Sequence, residues 1–136
     1  MDIQQTYFMI KPEIVAGGDQ KIGAILSLVN TAGFRITGLH MRQLERSLVE
    51  DFYGEHRERP FFGDLCAYIT SGPVVAIRLE RGNAVAALRE LIGATNPAEA
   101  ATGTIRDLFG ASLQNNAVHA SANAEDAARE LGLIFG

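Results

Sequence analysis

An antiparallel sheet with helices on one face, built from split β-α-β units, is the α+β architecture this sequence predicts. Three observations point to it. Apolar runs of strand length lie at residues 6–10 and 74–79, an interleaved strand pattern with Ile36, Leu39 and Met41 at 34–44, and a very short apolar strand at Ala117-Val118. Between them apolar residues recur at helical spacing, and these stretches carry capping residues and terminating glycines. The resulting order is strand, helix, strand, a helix pair, strand, helix, long loop, strand, helix. The 136 residues, 47% of them hydrophobic, suit one globular domain over 1–136, large enough to bury roughly two thirds of its unfolded surface.

The first strand, 6–10, is a continuous apolar run closed by Pro12, which suits burial on both faces and leaves Lys11 at its C-terminal end. A lysine in that place is ordinarily solvated surface. Asp19 reads as the cap of a helix carrying Ile22, Ile25, Leu26 and Val29, and Gly33 stops it. In the second strand Gly38 interrupts the alternation as a bulge would, and His40 reads as structural. Ser47 and Glu50 make a capping-box pattern for a helix with Leu48 and Phe52 on one face, and Tyr53 and His56 come at its end. Arg59-Pro60-Phe61-Phe62 opens the next helix, with Leu65, Cys66 and Ile69 inward and Ser71-Gly72-Pro73 closing it. Two adjacent phenylalanines do not readily face the same way. Either they share the core or, with Phe62 inward, Phe61 is left as an exposed stacking plate.

After the third strand, Asn83 caps a helix with Val85, Leu88 and Ile92 inward, Arg89 outward and Gly93 at its end. Between Gly93 and Asn115 there is no convincing periodicity. Long irregular segments in compact domains are commonly functional loops, and this one carries Thr95 and Arg106. Asn123 reads as the N-cap of the last helix, with Glu125 and Asp126 in its first turn, Ala127, Ala128 and Leu131 along it and Gly132 ending it.

Charge and cysteine content exclude several function classes. The 12 basic and 16 acidic residues leave a formal net charge of −4 with no Lys/Arg block, which argues against nucleic-acid binding as a main role. Cys66 is the only cysteine, so no internal disulfide forms, and its apolar neighbours mark it as a small core residue in a reducing compartment. Residues 1–5 have neither a basic n-region nor an apolar h-region, and no apolar run is long enough to cross a bilayer. A cytoplasmic protein without a membrane partner is expected.

The chemistry concentrates at residues 115–123, which place His119 where a short strand hands over to a helix. A neutral imidazole there is either a nucleophile or a histidine satisfied by a backbone carbonyl. His40, His56 and His119 show no metal-ligand spacing and no cysteine supports them, so a metal-dependent hydrolase is a weak reading.

With Lys11-Pro12, Arg59-Pro60-Phe61-Phe62, Ser71-Gly72-Pro73-Val74-Val75-Ala76, Gly93-Ala94-Thr95-Asn96-Pro97, Gly103-Thr104-Ile105-Arg106 and Asn116-x-x-His119 in this order, the chain resembles the nucleoside diphosphate kinases over most of its length. The resemblance implies a ferredoxin-like α/β sandwich, a four-stranded antiparallel sheet with flanking helices. It also implies transfer of the γ-phosphate of a nucleoside triphosphate, typically ATP, to a nucleoside diphosphate by a ping-pong mechanism through a phosphohistidine. Matched position by position, the phosphohistidine falls on His119. Lys11 matches the lysine that contacts phosphate and the ribose 3′-hydroxyl, and Asn116 matches the amide that shares that hydroxyl. Tyr53 matches the tyrosine near the imidazole, and Arg89, Thr95 and Arg106 match the side chains that hold the phosphates. Phe61 matches the aromatic plate under the base, Leu65 and Leu113 the apolar positions flanking it, and Glu130 and Ser121 the pair that orient the histidine. Magnesium is implied as a cofactor, bridging phosphates with few or no direct protein ligands. A homo-oligomer, tetramer or dimer, is implied as well.

These residue types suit the reaction, since catalysis of phosphoryl transfer comes from positioning and from offsetting charge on the phosphate oxygens. Within the matched motifs the sequence departs from the family in the turn after His119. Where the family commonly reads His-Gly-Ser-Asp-Ser, this chain reads His119-Ala120-Ser121-Ala122-Asn123. A positive φ at Ala120 would cost about 1 kcal/mol. Ala122 removes a carboxylate, while Asn123 keeps the capping ability of the serine it replaces. The chain also ends at Gly136, short of the C-terminal extension that longer members pack onto a neighbouring subunit. The altered turn keeps a second reading in view, a non-catalytic nucleotide-binding regulatory module, which phosphoenzyme formation separates from the kinase.

Overall fold

Strand β1 (Ile3–Ile10) sends Phe8 and Ile10 to one face of the sheet and Tyr7 and Met9 to the other, and all four are buried. Successive side chains of a strand point to opposite faces, so a continuous apolar run needs a packing layer on each side. The structure, a computed structural model that describes residues 2–136, has both layers. Its four-stranded sheet runs in the order β2 (Arg35–Arg42), β3 (Val74–Gly82), β1, β4 (Val118–Ala120), with every neighbouring pair antiparallel. On one face α2 (Asp19–Thr31) and α5 (Ala84–Ile92) bring Ile25, Val29, Leu88 and Ile92 against Phe8, Ile10 and Ile77. On the other face α3 (Arg46–Phe52), α4 (Phe62–Ile69) and α7 (Ala124–Phe135) bring Phe52, Ile69 and Ile134 against Tyr7, Met9 and Ala76. The antiparallel α+β class with flanking helices stands, but the helices cover both faces rather than one. Cys66 is fully buried in the second of these layers.

Several local expectations hold. The register between β2 and β3 slips between Ile36 and Gly38, the bulge that Gly38 announced. A Cβ at Gly38 would lie 3.0 Å from the Phe135 ring, so the glycine also lets α7 approach the sheet. The Asn123 side chain accepts the Asp126 N–H at 2.8 Å and caps α7.

Others are corrected. The Ser47-Glu50 pattern does not cap α3, which starts at Arg46 behind Glu45; Glu50 pairs instead with Arg46 at 3.2 Å. Asn83 stands ahead of α5 at φ 55° without a capping bond, and the Gln4 side chain takes the Val85 N–H at 2.9 Å in its place. Helix α7 runs through Gly132 to Phe135, because burial of Leu131 and Ile134 offsets the cost, about 1 kcal/mol, of a mid-helix glycine. The segment after Gly93 holds a 3-10 turn, Pro97–Glu99, and the short helix α6 (Ile105–Phe109). Another five-residue helix, α1 (Pro12–Ala16), follows Lys11 directly. Among the described residues no helix is long and apolar enough to cross a membrane.

Candidate active site

The site forms where the end of β1 meets the start of β4. His119 sits in the middle of β4, opposite Met9, and the expected strand at Ala117-Val118 is shifted so that Ala117 lies outside it. Ala117 adopts φ 79°, and the Val118 N–H donates to the Asn116 carbonyl at 3.0 Å. Together these make a three-residue γ-turn of the strained hand, centred on an alanine. A non-glycine residue in such a conformation costs of order 1–3 kcal/mol and persists only where its surroundings hold it. Ala120, by contrast, is paired with Phe8 inside the strand and has no positive φ. The strain expected at Ala120 lies three residues earlier, and the alanine after His119 is accommodated in ordinary extended backbone.

The imidazole is held on several sides. Its ring packs near Phe52, Tyr7 and Tyr53, at centroid distances of 5.2, 5.9 and 6.4 Å. Nε2 lies 2.9 Å from Oε1 of Glu130, an acceptor supplied by α7, and the Ser121 hydroxyl donates to the same oxygen at 2.7 Å. An ionised carboxylate only accepts hydrogen bonds, so Nε2 carries a proton, and in the neutral ring the lone pair is the one on Nδ1. Burial pushes the Glu130 carboxyl up, but the bonds from His119 and Ser121 and the charge of Arg129 outweigh it and hold the carboxyl below its ordinary range. The histidine is thus oriented by a carboxylate rather than by a backbone carbonyl. Burial raises the Tyr53 hydroxyl well above the usual tyrosine range, so it stays protonated.

Three cations share the site. Lys11 is only 8% exposed, and its Nζ donates to Asn116 Oδ1 at 2.7 Å. Burial, with help from the Arg106 cation and against the Glu13 carboxylate, lowers its pKa to about 8. Arg106, in α6, is 7% exposed and donates to the Gly93 carbonyl at 3.2 Å and the Val118 carbonyl at 3.0 Å. Burial and the neighbouring Arg89 cation lower it to about 10. Its Nε is buried without a partner among the described residues. Gly93 enables this contact: at φ 88° it turns the chain out of α5, and a Cβ there would meet Thr104 Oγ1 at 2.5 Å. Arg89 is exposed on α5, with one N–H 3.5 Å from the Ala120 carbonyl.

Two adjoining clefts open from these groups. One, of about 250 Å³, is lined by His119, Lys11, Arg89, Arg106, Asn116 and Tyr53 among others. The second, of about 680 Å³, is rimmed by Phe61 and Leu113, which are 49% and 61% exposed. Lys11, Leu65 and Thr95 line both. Phe62 packs toward the core, so of the two readings of the phenylalanine pair the exposed plate is the one adopted. The Asn116 amide donates to the carbonyls of Thr95 and Leu113, tying the loop after α5 to the turn before His119. Every site residue expected from sequence is gathered here, with Ser121 buried behind Glu130 rather than at the surface. Sequence reasoning missed Phe52, which flanks the imidazole, and Glu55 and Asp126, the carboxylates that line the smaller cleft. Their only signal was adjacency to Tyr53 or a place in the first turn of α7.

A carboxylate-oriented histidine facing three cations beside an apolar-rimmed cleft defines a protein that takes a phosphorylated ligand with a flat, apolar portion. Comparison with known proteins agrees. Residues 4–136 match the family model described as nucleoside diphosphate kinase. The nucleoside diphosphate kinase of Deinococcus radiodurans is 49% identical over 134 residues, 98% of this chain and 96% of the relative. The Desulforamulus reducens enzyme of the same name is 46% identical, over 98% of this chain and 88% of its own. The Aquifex aeolicus nucleoside diphosphate kinase structure superposes with a TM-score of 0.94 at 38% identity, covering 99% of this chain and 96% of the other. That of Halobacterium salinarum, in complex with CDP, superposes with a TM-score of 0.92 at 37% identity, covering 98% and 88%. The chain belongs to the nucleoside diphosphate kinase family, and so to the phosphotransferases.

Proposed function

We propose that this chain exchanges the terminal phosphate between nucleoside triphosphates and diphosphates through a phosphohistidine on His119. The observation that carries the mechanism is the pairing of His119 Nε2 with Glu130, which leaves the Nδ1 lone pair in a cleft shared with Lys11, Arg89 and Arg106. Nδ1 attacks the γ-phosphorus, the bond from phosphorus to the β,γ-bridging oxygen breaks, and the nucleoside diphosphate leaves with that electron pair. A terminal phosphate oxygen of the incoming diphosphate then takes the phosphoryl group and restores the imidazole. One site serves donor and acceptor in turn, so the kinetics are ping-pong.

In this reading Arg89, Arg106 and Thr95 hold phosphate oxygens, and the arginine forks match two oxygens at once. Lys11 and Asn116, already bonded to each other at 2.7 Å, share the phosphate and the ribose 3′-hydroxyl. Tyr53 stands beside the imidazole as a neutral hydroxyl, and Ser121 supports Glu130. The base stacks on Phe61 between Leu65 and Leu113, which accepts purines and pyrimidines alike. The CDP bound to the Halobacterium salinarum relative fits this reading.

Magnesium fits the donor set as a phosphate-borne ion. The carboxylates of Glu55 and Asp126 beside the cations of Lys11, Arg89 and Arg106 in the smaller cleft suit an ion that would be carried in on the substrate phosphates. Glu55 and Asp126 would be the carboxylates available to such an ion. Such an ion would offset negative charge on the phosphates.

The reading extends to a cytoplasmic, single-domain homo-oligomer, a tetramer or a dimer. Edge strand β2 supports it, since it presents exposed Leu39 and Met41 beside an unpaired ladder. Initial-rate kinetics test the mechanism: double-reciprocal plots at several diphosphate concentrations should be parallel, and intersecting lines would contradict a phosphoenzyme.

A further inference from the structure

Glu13, in α1, has no place in phosphate binding, yet it reaches the strained turn beside His119. Its Oε2 accepts the Ala117 N–H at 3.1 Å, and its Oε1 accepts the Tyr68 hydroxyl. Ala117 is fully buried and precedes the first residue of the β4 ladder. Its N–H therefore has no strand partner, and Glu13 is the acceptor the structure gives it. The other polar group of Ala117, its carbonyl, accepts the Lys11 N–H at 2.9 Å. The segment Lys11-Pro12-Glu13 thus grips both ends of the one residue in the γ-turn. Asn116 lies on one side of that turn and His119 two residues beyond the other.

The clamp is itself anchored. Tyr68 comes from α4, across the sheet end, and its ring lies 5.6 Å from Lys11 Nζ. Lys11 in turn bonds Asn116, so Glu13, Tyr68, Lys11 and Asn116 form a connected cluster around Ala117. A left-handed alanine relaxes unless its neighbours hold it. Relaxation here would rotate the peptide that carries Asn116 and displace the start of β4.

We propose that Glu13 is a positioning residue for phosphoryl transfer: its carboxylate holds the Ala117 N–H, fixes the γ-turn, and through it aims Asn116 and His119. The assignment rests on the phosphohistidine mechanism above. A role confined to stabilising α1 would alter the melting temperature and leave the rate of transfer unchanged.

The test is single-turnover phosphorylation of the full chain by ATP, with ATP affinity and melting temperature measured on each variant. Glu13→Ala should slow phosphoryl transfer roughly 10- to 100-fold, the penalty for misplacing a reacting group by a fraction of an ångström to an ångström. Its ATP affinity should fall much less than its rate, because Phe61, Arg89 and Arg106 are untouched. Glu13→Gln retains a carbonyl acceptor for the Ala117 N–H and should recover most of the rate. Tyr68→Phe, which frees one anchor of the carboxylate, should be slowed less than Glu13→Ala. A folded Glu13→Ala chain that is phosphorylated at the wild-type rate overturns the proposal, as does Glu13→Gln no faster than Glu13→Ala. If Glu13→Ala does not fold, Tyr68→Phe decides: a slowed rate supports the clamp and a wild-type rate overturns it. Absence of label on the wild type would overturn the phosphohistidine mechanism itself and this assignment with it.

Discussion

His119 Nε2 lies 2.9 Å from Glu130 Oε1, an interaction that joins β4 to α7 across 11 residues of chain. This contact selects, in the neutral ring, the tautomer with its proton on Nε2, the one the proposed attack through Nδ1 needs. Glu130→Gln can present an N–H to the ring and stabilise the wrong tautomer, so kcat should fall roughly 10²-fold or more, as when comparable histidine-orienting carboxylates are neutralised. Steady-state exchange assays check this.

The same carboxylate carries a stability signature. Its folded pKa lies below the ordinary 4.5, so its contribution is present above that value and is lost as pH falls through the folded one. Thermal melts should show a stability gap between wild type and Glu130→Gln that is full at neutral pH and narrows on acidification below about 4.5.

Lys11 should give the alkaline limb of the activity profile. With its pKa lowered to about 8, the cation is lost above that value, and kcat/KM should decline there with an apparent pKa of about 8. Lys11→Arg, which does not deprotonate in this range, should lose rate but flatten the limb. Stability runs the other way. The unfolded chain keeps this proton up to about 10.5 and the folded chain only to about 8, so stability gains with pH in that window, a gain that Lys11→Met should lack.

Arg106→Ala should cost about 2–4 kcal/mol of transition-state stabilisation, the range for losing one preorganised charged donor. Because Arg106 also bonds the Gly93 and Val118 carbonyls, melting temperature must be followed beside kcat/KM. A loss of only a few-fold would make Arg106 a strut for the loop rather than a phosphate ligand.

Phe61→Ala should raise KM with little change in kcat, since base stacking contributes about 1–3 kcal/mol. The rise should be similar for purine and pyrimidine diphosphates, with the melting temperature unmoved because half the ring is already solvated. A loss restricted to one base class would contradict recognition by stacking.

Parts of this molecule were legible from local pattern because local pattern caused them. The apolar run ending at Ile10, the stripe of Ile22, Ile25 and Val29, the bulge at Gly38 and the cap at Asn123 are each set by neighbouring residues. The twelve candidate positions came from the family's motifs rather than from local pattern, and the fold gathers them around His119. Lys11 alone looked like surface; it is buried because the turn at Ala117 folds over the end of β1. Helices α1 and α6, five residues each, are too short to show periodicity. The strain at Ala117 had no sequence signal, since alanine does not advertise a left-handed backbone. Nor did Glu13, whose partners stand 104 and 55 residues away.

The central claim is covalent transfer through His119, and isolation of the phosphoenzyme tests it most directly. The protein is incubated with ATP labelled in the γ-phosphate and then chased with a mixture of nucleoside diphosphates. Acid-labile, base-stable label should appear on wild type, be absent from His119→Ala, and be discharged by every diphosphate. ATP binding without label on the wild type, or equal labelling of His119→Ala, would contradict the mechanism; the first result would leave a nucleotide-binding module on this fold.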